Sequence, residues 1–200
     1  MFPVRFWRMG RTEDFASERE RMIDRQLRRR GIADEAILDA FRAVPREAFV
    51  AERMRHLAYG DHPLPIEADQ TISQPYIVAL MVEAARLGLD DKVLEVGAGS
   101  GYAAAVMSHL AARVITIERQ HELAVIARER LQELGYSNIA VVEGDGTKGC
   151  VEEAPFDAIL AAASGSHVPQ SLLDQLAPKG RLVMPLGGAG LVQKLIRVTK

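Results

Sequence analysis

Three places in the second half of this chain put ligand-gripping residues at the ends of short β-branched runs. The first is Val93-Leu-Glu-Val-Gly97-Ala-Gly99-Ser-Gly101-Tyr102. Glycines there permit positive φ and close approach of backbone to a ligand. The N-terminus of the helix that follows favours a negatively charged group. Tyr102 stands where the dinucleotide fingerprint Gly-x-Gly-x-x-Gly needs its third glycine, which weakens a nicotinamide reading. The second is Glu118, which closes the run Val114-Ile-Thr-Ile117, 17 residues after Gly101. Its two oxygens are able to accept both hydroxyls of a ribose; the plainer alternative is an exposed glutamate at a strand end. The third is Gly144-Asp145-Gly146, after Ile139–Glu143. Its carboxylate would accept from an adenine amino group, or the segment is simply an Asp-Gly turn. Together the three describe a site for an adenosine-containing ligand. The chain has no Gly-x-x-x-x-Gly-Lys-Ser/Thr loop and no Gly-x-Ser-x-Gly elbow, which argues against a P-loop ATPase and an α/β-hydrolase.

The elements that must position these residues alternate. Strands are expected at Lys92–Val96, Val114–Ile117, Ile139–Glu143, Phe156–Ala162, Arg181–Met184 and Leu191–Val198. Helices are expected at Tyr102–Ala111, at Gln120–Leu134 with Leu123, Ala127, Leu131 and Leu134 on one stripe, and at Pro169–Leu176. That rhythm predicts an α/β fold with an open, doubly wound, mostly parallel sheet, whose ligands bind outside the carboxyl ends of the strands. Residues 12–90 form an N-terminal helical extension. Helices are expected at Glu13–Arg30 (stopped by Gly31), from an Asp34 cap to Val44-Pro45, and at Pro75–Leu87. Between them lies a Pro-punctuated stretch, 59–75, with no helical period, of a length that often carries function. Arg28-Arg29-Arg30 reads as a solvated last turn complementing the helix dipole.

Composition narrows the class. The chain has 200 residues, 48% hydrophobic and 26% charged, as expected of a single globular domain. A net charge of −2 gives no global reason to bind nucleic acid. No run approaches the roughly 18 apolar residues of a membrane helix, and residues 1–10 do not read as a secretory signal. Cys150 is the one cysteine, so no internal disulfide forms, and the expected setting is cytoplasmic. Cys150 itself reads as a small buried residue. His56, His62, His109, His121 and His167 show no metal-ligand spacing, so no metal is expected. His62 and His167 are candidates to lie near the cleft. Trp7 and the first ten residues have no assignable role.

Val93–Gly101, Glu118 and Asp145-Gly146 resemble the class I methyltransferases that use S-adenosylmethionine. A closer likeness lies in Leu64-Pro-Ile followed by Gln70-Thr-Ile-Ser-Gln-Pro-Tyr-Ile-Val-Ala79, which resembles the signature of the protein-L-isoaspartate (D-aspartate) O-methyltransferases. Val44-Pro-Arg-Glu-Ala-Phe-Val50, Ala154-Pro-Phe-Asp157, Gln175-Leu-Ala-Pro and Arg181-Leu-Val-Met-Pro-Leu-Gly187 extend it over roughly residues 20–198. The resemblance implies a Rossmann-like methyltransferase domain over 1–200, with residues 12–90 supplying helices and the substrate loop and 91–200 the cofactor-binding core. It implies methyl transfer from S-adenosylmethionine, leaving S-adenosylhomocysteine, to the free α-carboxylate of L-isoaspartyl and some D-aspartyl residues of damaged proteins. The ester then collapses to a succinimide, and repair begins. It implies a monomer without nucleic-acid or membrane partners. By the same resemblance Ser73 is the active-site serine. Gln70, Thr71, Ile72, Gly97, Gly99, Gly101, Glu118, Asp145 and Gly146 fall on cofactor positions, and Ile66, Ser73 and Leu186 on the substrate side.

The chemistry suits these residue types. A carboxylate is already ionised at neutral pH and a sulfonium is already a good leaving group, so the enzyme's task is alignment and exclusion of water. Ser73 would orient the carboxylate; its alternative is to cap the helix that begins at Pro75. Four departures stand against the family pattern. Glu67 and Asp69 occupy usual glycine positions, Ala98 replaces a common threonine, and Ala161-Ala-Ala-Ser-Gly-Ser-His167 differs from the usual segment. The family also usually continues beyond the position of Lys200 into one more strand. A methyltransferase for another carboxylate or small molecule, and a paralogue that only binds the cofactor, are the competing readings.

Overall fold

The structure is a computed structural model and describes residues 14–187 and 193–200; Trp7, Glu13 and Leu191, named above, lie outside them. Helix α1 (Phe15–Met22) starts where Asp14 accepts a hydrogen bond from Ser17 N, and runs on through a π-helical turn and a 3-10 turn to Gly31. Helix α2 (Glu35–Ala43) is capped by Asp34, whose side chain accepts from Ala36 N, and Val44-Pro45 ends it as expected. Segment 59–75 is not the structureless loop that its prolines suggest. Strands β1 (Leu64–Pro65) and β2 (Thr71–Ile72) pair antiparallel as a short hairpin. Helix α3 (Pro75–Ala85) follows at once, with Pro75 in its first turn.

The expected βα alternation then appears, with small shifts of boundary. Its elements are β3 (Lys92–Val96), α4 (Tyr102–Ser108), β4 (Arg113–Glu118), α5 (His121–Glu133), β5 (Ile139–Glu143), β6 (Phe156–Ala161), α6 (Gln170–Asp174), β7 (Leu176–Leu186) and β8 (Lys194–Thr199). The sheet order is β5-β4-β3-β6-β7-β8, parallel except for the antiparallel β7–β8 pair. The chain builds β3 to β5 outward in one direction, then β6 to β8 in the other. The switch point therefore lies between β3 and β6, beyond Val96 and Ala161.

Alternation along each strand sends side chains to two separate cores. Val93, Val114, Ala158, Leu160 and Val183 pack against α1 to α4, while Leu94, Ile115, Ile159, Ala161 and Leu182 pack with Phe156, Leu172 and Leu176 on the other face. On the first face Phe41 and Phe49 meet the ring of Tyr102 edge-on, at 6.1 and 5.5 Å between centroids. Such pairs add about 0.5–1.5 kcal/mol each beyond burial. Leu134, expected on the buried stripe of α5, is instead 39% exposed because the helix ends at Glu133.

Helix α3 is fastened at its far end. Arg86, in the left-handed conformation, terminates it and leaves carbonyls without helical partners. Arg181 of β7 donates to Ala85 O at 2.8 Å and Arg86 O at 2.7 Å, and pairs with Asp91 at 2.6 Å; Arg197 of β8 donates to Ala84 O. Two cations thus complement the negative end of the helix dipole.

Candidate active site

Two cavities open at the switch point and share Gly97. The larger, about 270 Å³, is lined by Gln70, Val96, Gly97, Ile117, Glu118, Gln120, Asp145, Gly146 and Ala163, among others. The smaller, about 60 Å³, is lined by residues 71–73 of the β2 segment, Glu95, residues 97–100 of the glycine turn, Tyr102 and Ala162. The β1–β2 hairpin supplies one wall of each, so it is the hairpin that joins the two halves of the site.

Glu118 ends β4 and is only 7% exposed. Gly99 N donates to its Oε2 at 3.0 Å and Gln120 N donates to its Oε1 at 3.0 Å. Each oxygen keeps a lone pair for another donor. The carboxylate is thus fixed before any ligand arrives, and its open acceptors suit a diol. Asp145 accepts from Thr147 N and Thr147 Oγ1 through Oδ1, and these hydrogen bonds hold its carboxyl below the usual range. A Cβ on Gly146 would overlap Val96 Cγ1, so any side chain there would displace the strand that leads into the glycine turn. The shape of the larger cavity therefore depends on Gly146 lacking one.

Gly101 is different. It lines neither cavity; at φ +87° it caps α4, and a side chain there would press on Leu131 of α5 at 3.2 Å. Its glycine is required by helix packing, which the spacing alone cannot separate from ligand approach. Ile66 reaches over the turn, its Cδ1 within 3.5 Å of a Cβ built on Gly99, and lines neither cavity. Leu186, at the end of β7, bridges Gly165 beside the Ser164–His167 loop and also stands outside both.

Ser73 lines the smaller cavity and does not cap α3, whose start has no side-chain cap. The N-terminus of α3 lies directly beyond it. Of the residues that departed from the family pattern, Asp69 is exposed and Glu67 faces Arg130 at 4.0 Å; Arg130 also donates to Ser100 O in the glycine turn. Ala68 and Asp69 hold φ of +54° and +55°, and Gln70 N bonds Glu67 O, which is the geometry of a turn that favours Asn-Gly. Alanine in that conformation costs about 1–2 kcal/mol. Ala68→Gly should therefore raise stability by about 1 kcal/mol, or about 2–4 °C in Tm for a chain of this size. Thermal unfolding checks this, and an unchanged or lower Tm would mean the turn is not strained. His62 and His167 are exposed and line neither cavity.

Two residues escaped the reading of the motifs. Glu95, in the middle of β3, is 3% exposed, lines the smaller cavity and accepts from Thr116 Oγ1 at 2.6 Å. Burial, with the nearby Glu118 charge adding, pushes its carboxyl up to about 8. A charged residue inside the apolar run Val93-Leu-Glu-Val was the available signal. Arg46 is the other; it lies inside the Val44–Val50 segment that resembles the family, but nothing there gives it a role.

The chain matches the protein-L-isoaspartate(D-aspartate) O-methyltransferase (PCMT) family over residues 17–200. It belongs to that family. Protein-L-isoaspartate O-methyltransferase 2 of Pelobacter propionicus is 58% identical over 182 residues, covering 91% of this chain and 81% of the relative. Protein-L-isoaspartate O-methyltransferase 1 of Rhodopseudomonas palustris is 55% identical over 186 residues, covering 93% and 76%. Among solved structures, a protein-L-isoaspartate O-methyltransferase aligns with TM-score 0.81 at 31% identity, over 91% of this chain and 60% of that one. A Plasmodium falciparum family member in complex with S-adenosyl-L-homocysteine aligns with TM-score 0.77 at 28% identity, over 93% and 89%. The family uses S-adenosylmethionine, and this chain's residues fit that group. Glu118 has open acceptors that would suit a ribose, Gly146 leaves room beside Val96, and Glu95 sets an acid in the cavity where a cationic donor end would lie.

Proposed function

We infer that this chain methylates the free α-carboxylate of L-isoaspartyl, and some D-aspartyl, residues in damaged proteins, with Ser73 as the residue that orients the acceptor. The observation that carries the assignment of roles is the shared wall at Gly97, which makes one site of a nucleoside-sized cavity and the small cavity holding Ser73. When bound, S-adenosylmethionine supplies an electrophilic methyl on a sulfonium. Glu118 holds the ribose hydroxyls, Asp145 and Gly146 border the adenine, and Gln70, Thr71 and Ile72 close the hairpin over the donor. Gly97 and Gly99 let backbone approach it. Ser73 Oγ would donate to one oxygen of the acceptor carboxylate and leave the other free to take the methyl. The N-terminus of α3 favours the acceptor's negative charge. Ile66 and Leu186 flank the entry for the peptide. No proton needs to be removed from a carboxylate acceptor, so Glu95, the acid that shares this cavity with Ser73, is not required as a base.

We further read residues 1–200 as one domain that works as a cytoplasmic monomer without nucleic-acid or membrane partners. The net charge of −2 supports this, as does the single cysteine. No helix among the described residues is long and apolar enough to cross a membrane.

The test is methyl transfer from labelled S-adenosylmethionine to a matched pair of peptides, one isoaspartyl and one normal aspartyl. Base-labile label on the isoaspartyl peptide alone is expected; label on both or neither would refute the reading. Ser73→Ala should lower kcat about 10–100-fold, the scale of losing alignment at a reacting centre, while cofactor affinity stays within about twofold. An equal loss of cofactor affinity, measured by calorimetry, would show that Ser73 serves the donor and not the acceptor.

A further inference from the structure

Arg46 is fully buried, at 0% exposure, in the turn after α2. Buried arginines are ordinarily paired with a carboxylate, because an isolated charge in the interior is costly. No carboxylate among the described residues pairs with this one. Its Nε donates to Ala58 O and its Nη2 to Ser73 O, both at 2.8 Å, and its Nη1 has no partner. The guanidinium also lies over the Tyr102 ring, 4.7 Å from the centroid, and the buried Tyr102 hydroxyl, which makes no hydrogen bond of good geometry, sits close enough to interact with it. Ser73 and Tyr102 both line the smaller cavity. One buried cation therefore touches two of that cavity's walls from behind. Burial draws the guanidinium's pKa down from its usual value.

We propose that Arg46 is a positioning residue for the acceptor carboxylate, setting Ser73 through its carbonyl and lending a positive charge, paired with no carboxylate among the described residues, to the acceptor half of the site. The proposal rests on the assignment of Ser73 to the acceptor. Its geometry makes a selective claim. Arg46 makes no hydrogen bond or ring contact with Glu118, Asp145 or the glycine turn up to Gly101, so donor binding should not depend on it. The acceptor's affinity should. Guanidinium and ammonium differ here as well, since only the planar fork reaches Ala58 O and Ser73 O together.

The experiment compares wild type, Arg46→Lys and Arg46→Met. For each, KM and kcat are measured with an isoaspartyl peptide, Kd for S-adenosylhomocysteine by calorimetry, and Tm by thermal unfolding. A further readout is competitive inhibition by the same peptide with its α-carboxylate converted to the amide, which is neutral at that position. Arg46→Met is expected to raise the peptide KM at least 10-fold, to leave the cofactor analogue's Kd within about twofold, and to lose the preference for carboxylate over amide. Arg46→Lys, which keeps the charge, should recover part of that preference. If KM, Kd and Tm all worsen together and the carboxylate preference persists, Arg46 is a structural residue only and the proposal is wrong. Should Arg46→Met not fold, Arg46→Lys carries the test alone: a KM raised threefold or more at unchanged Kd supports the proposal, and parallel changes overturn it. Wild type that fails to methylate the peptide would refute the acceptor assignment itself, an outcome distinct from either.

Discussion

Glu118→Ala is expected to weaken binding of S-adenosylmethionine and S-adenosylhomocysteine by about 100-fold or more. A hydrogen bond to a charged group contributes about 1.5–3 kcal/mol, and the carboxylate has open acceptors for two ribose hydroxyls. Losing both is on the order of 3 kcal/mol, or two decades in Kd. The substitution also removes the acceptor for Gly99 N and Gln120 N, which fix the glycine turn to the end of β4. Glu118→Gln should be nearly as damaging despite its similar shape. Its amide nitrogen would have to face one of those two N–H groups, donor against donor. Titration calorimetry with S-adenosylhomocysteine decides the matter. A Kd within threefold of wild type for both variants would place the ribose elsewhere.

Glu95→Gln should change how the protein responds to pH. The Glu95 carboxyl stands at about 8 in the folded chain, against 4.5 for the unperturbed group. Between those values the unfolded chain has released the proton and the folded chain still holds it. The stabilisation is therefore complete below about pH 4.5 and is lost as pH rises through about 8. Glutamine keeps an acceptor for Thr116 Oγ1 and never ionises. The variant should thus be more stable than wild type at pH 8 by a few kcal/mol, at an order-of-magnitude level, and indistinguishable from it near pH 4.5. Urea unfolding at pH 5, 6.5 and 8 measures the two slopes; parallel slopes would show that Glu95 does not titrate in this window. Donor binding should draw the proton off, because a cation entering the smaller cavity favours the carboxylate. Wild type should therefore release protons on binding the sulfonium donor, and Glu95→Gln should not.

Much of this was legible in the residues. The βα rhythm, the glycine turn, the acid ending β4 and the Asp-Gly after β5 were placed at the strand ends that line the larger cavity, because each is a local pattern. The hairpin at 64–72 was not, since its strands are two residues long and its turn holds Ala68-Asp69 where the turn type calls for Asn-Gly. The end of α3 was placed late because Arg86 is an ordinary helix former. It adopts a left-handed cap only where Arg181, far along the chain, takes up the freed carbonyls. Strand β7 proved longer than Arg181–Met184 because it begins at Leu176, ahead of the left-handed Lys179, a kink no periodicity shows. Glu95 and Arg46 share one cause. Their roles come from what surrounds them in space, and a single chain read in order shows only what flanks them.

The clasp of Arg181 on α3 also sets an order of events during synthesis. Arg181 lies 96 residues beyond Ala85, whose carbonyl it holds. At about 5–20 residues per second, the ribosome delivers it on the order of 5–20 s after α3 is made. Until then the apolar face of α3, with Val78, Ala79, Val82 and Ala85, has no β7 to rest on. While those 96 residues are made, α3 has only α2 and the Ile23–Leu27 turn to pack against, and the part of its apolar face that β6 and β7 will cover stays open to translation partners.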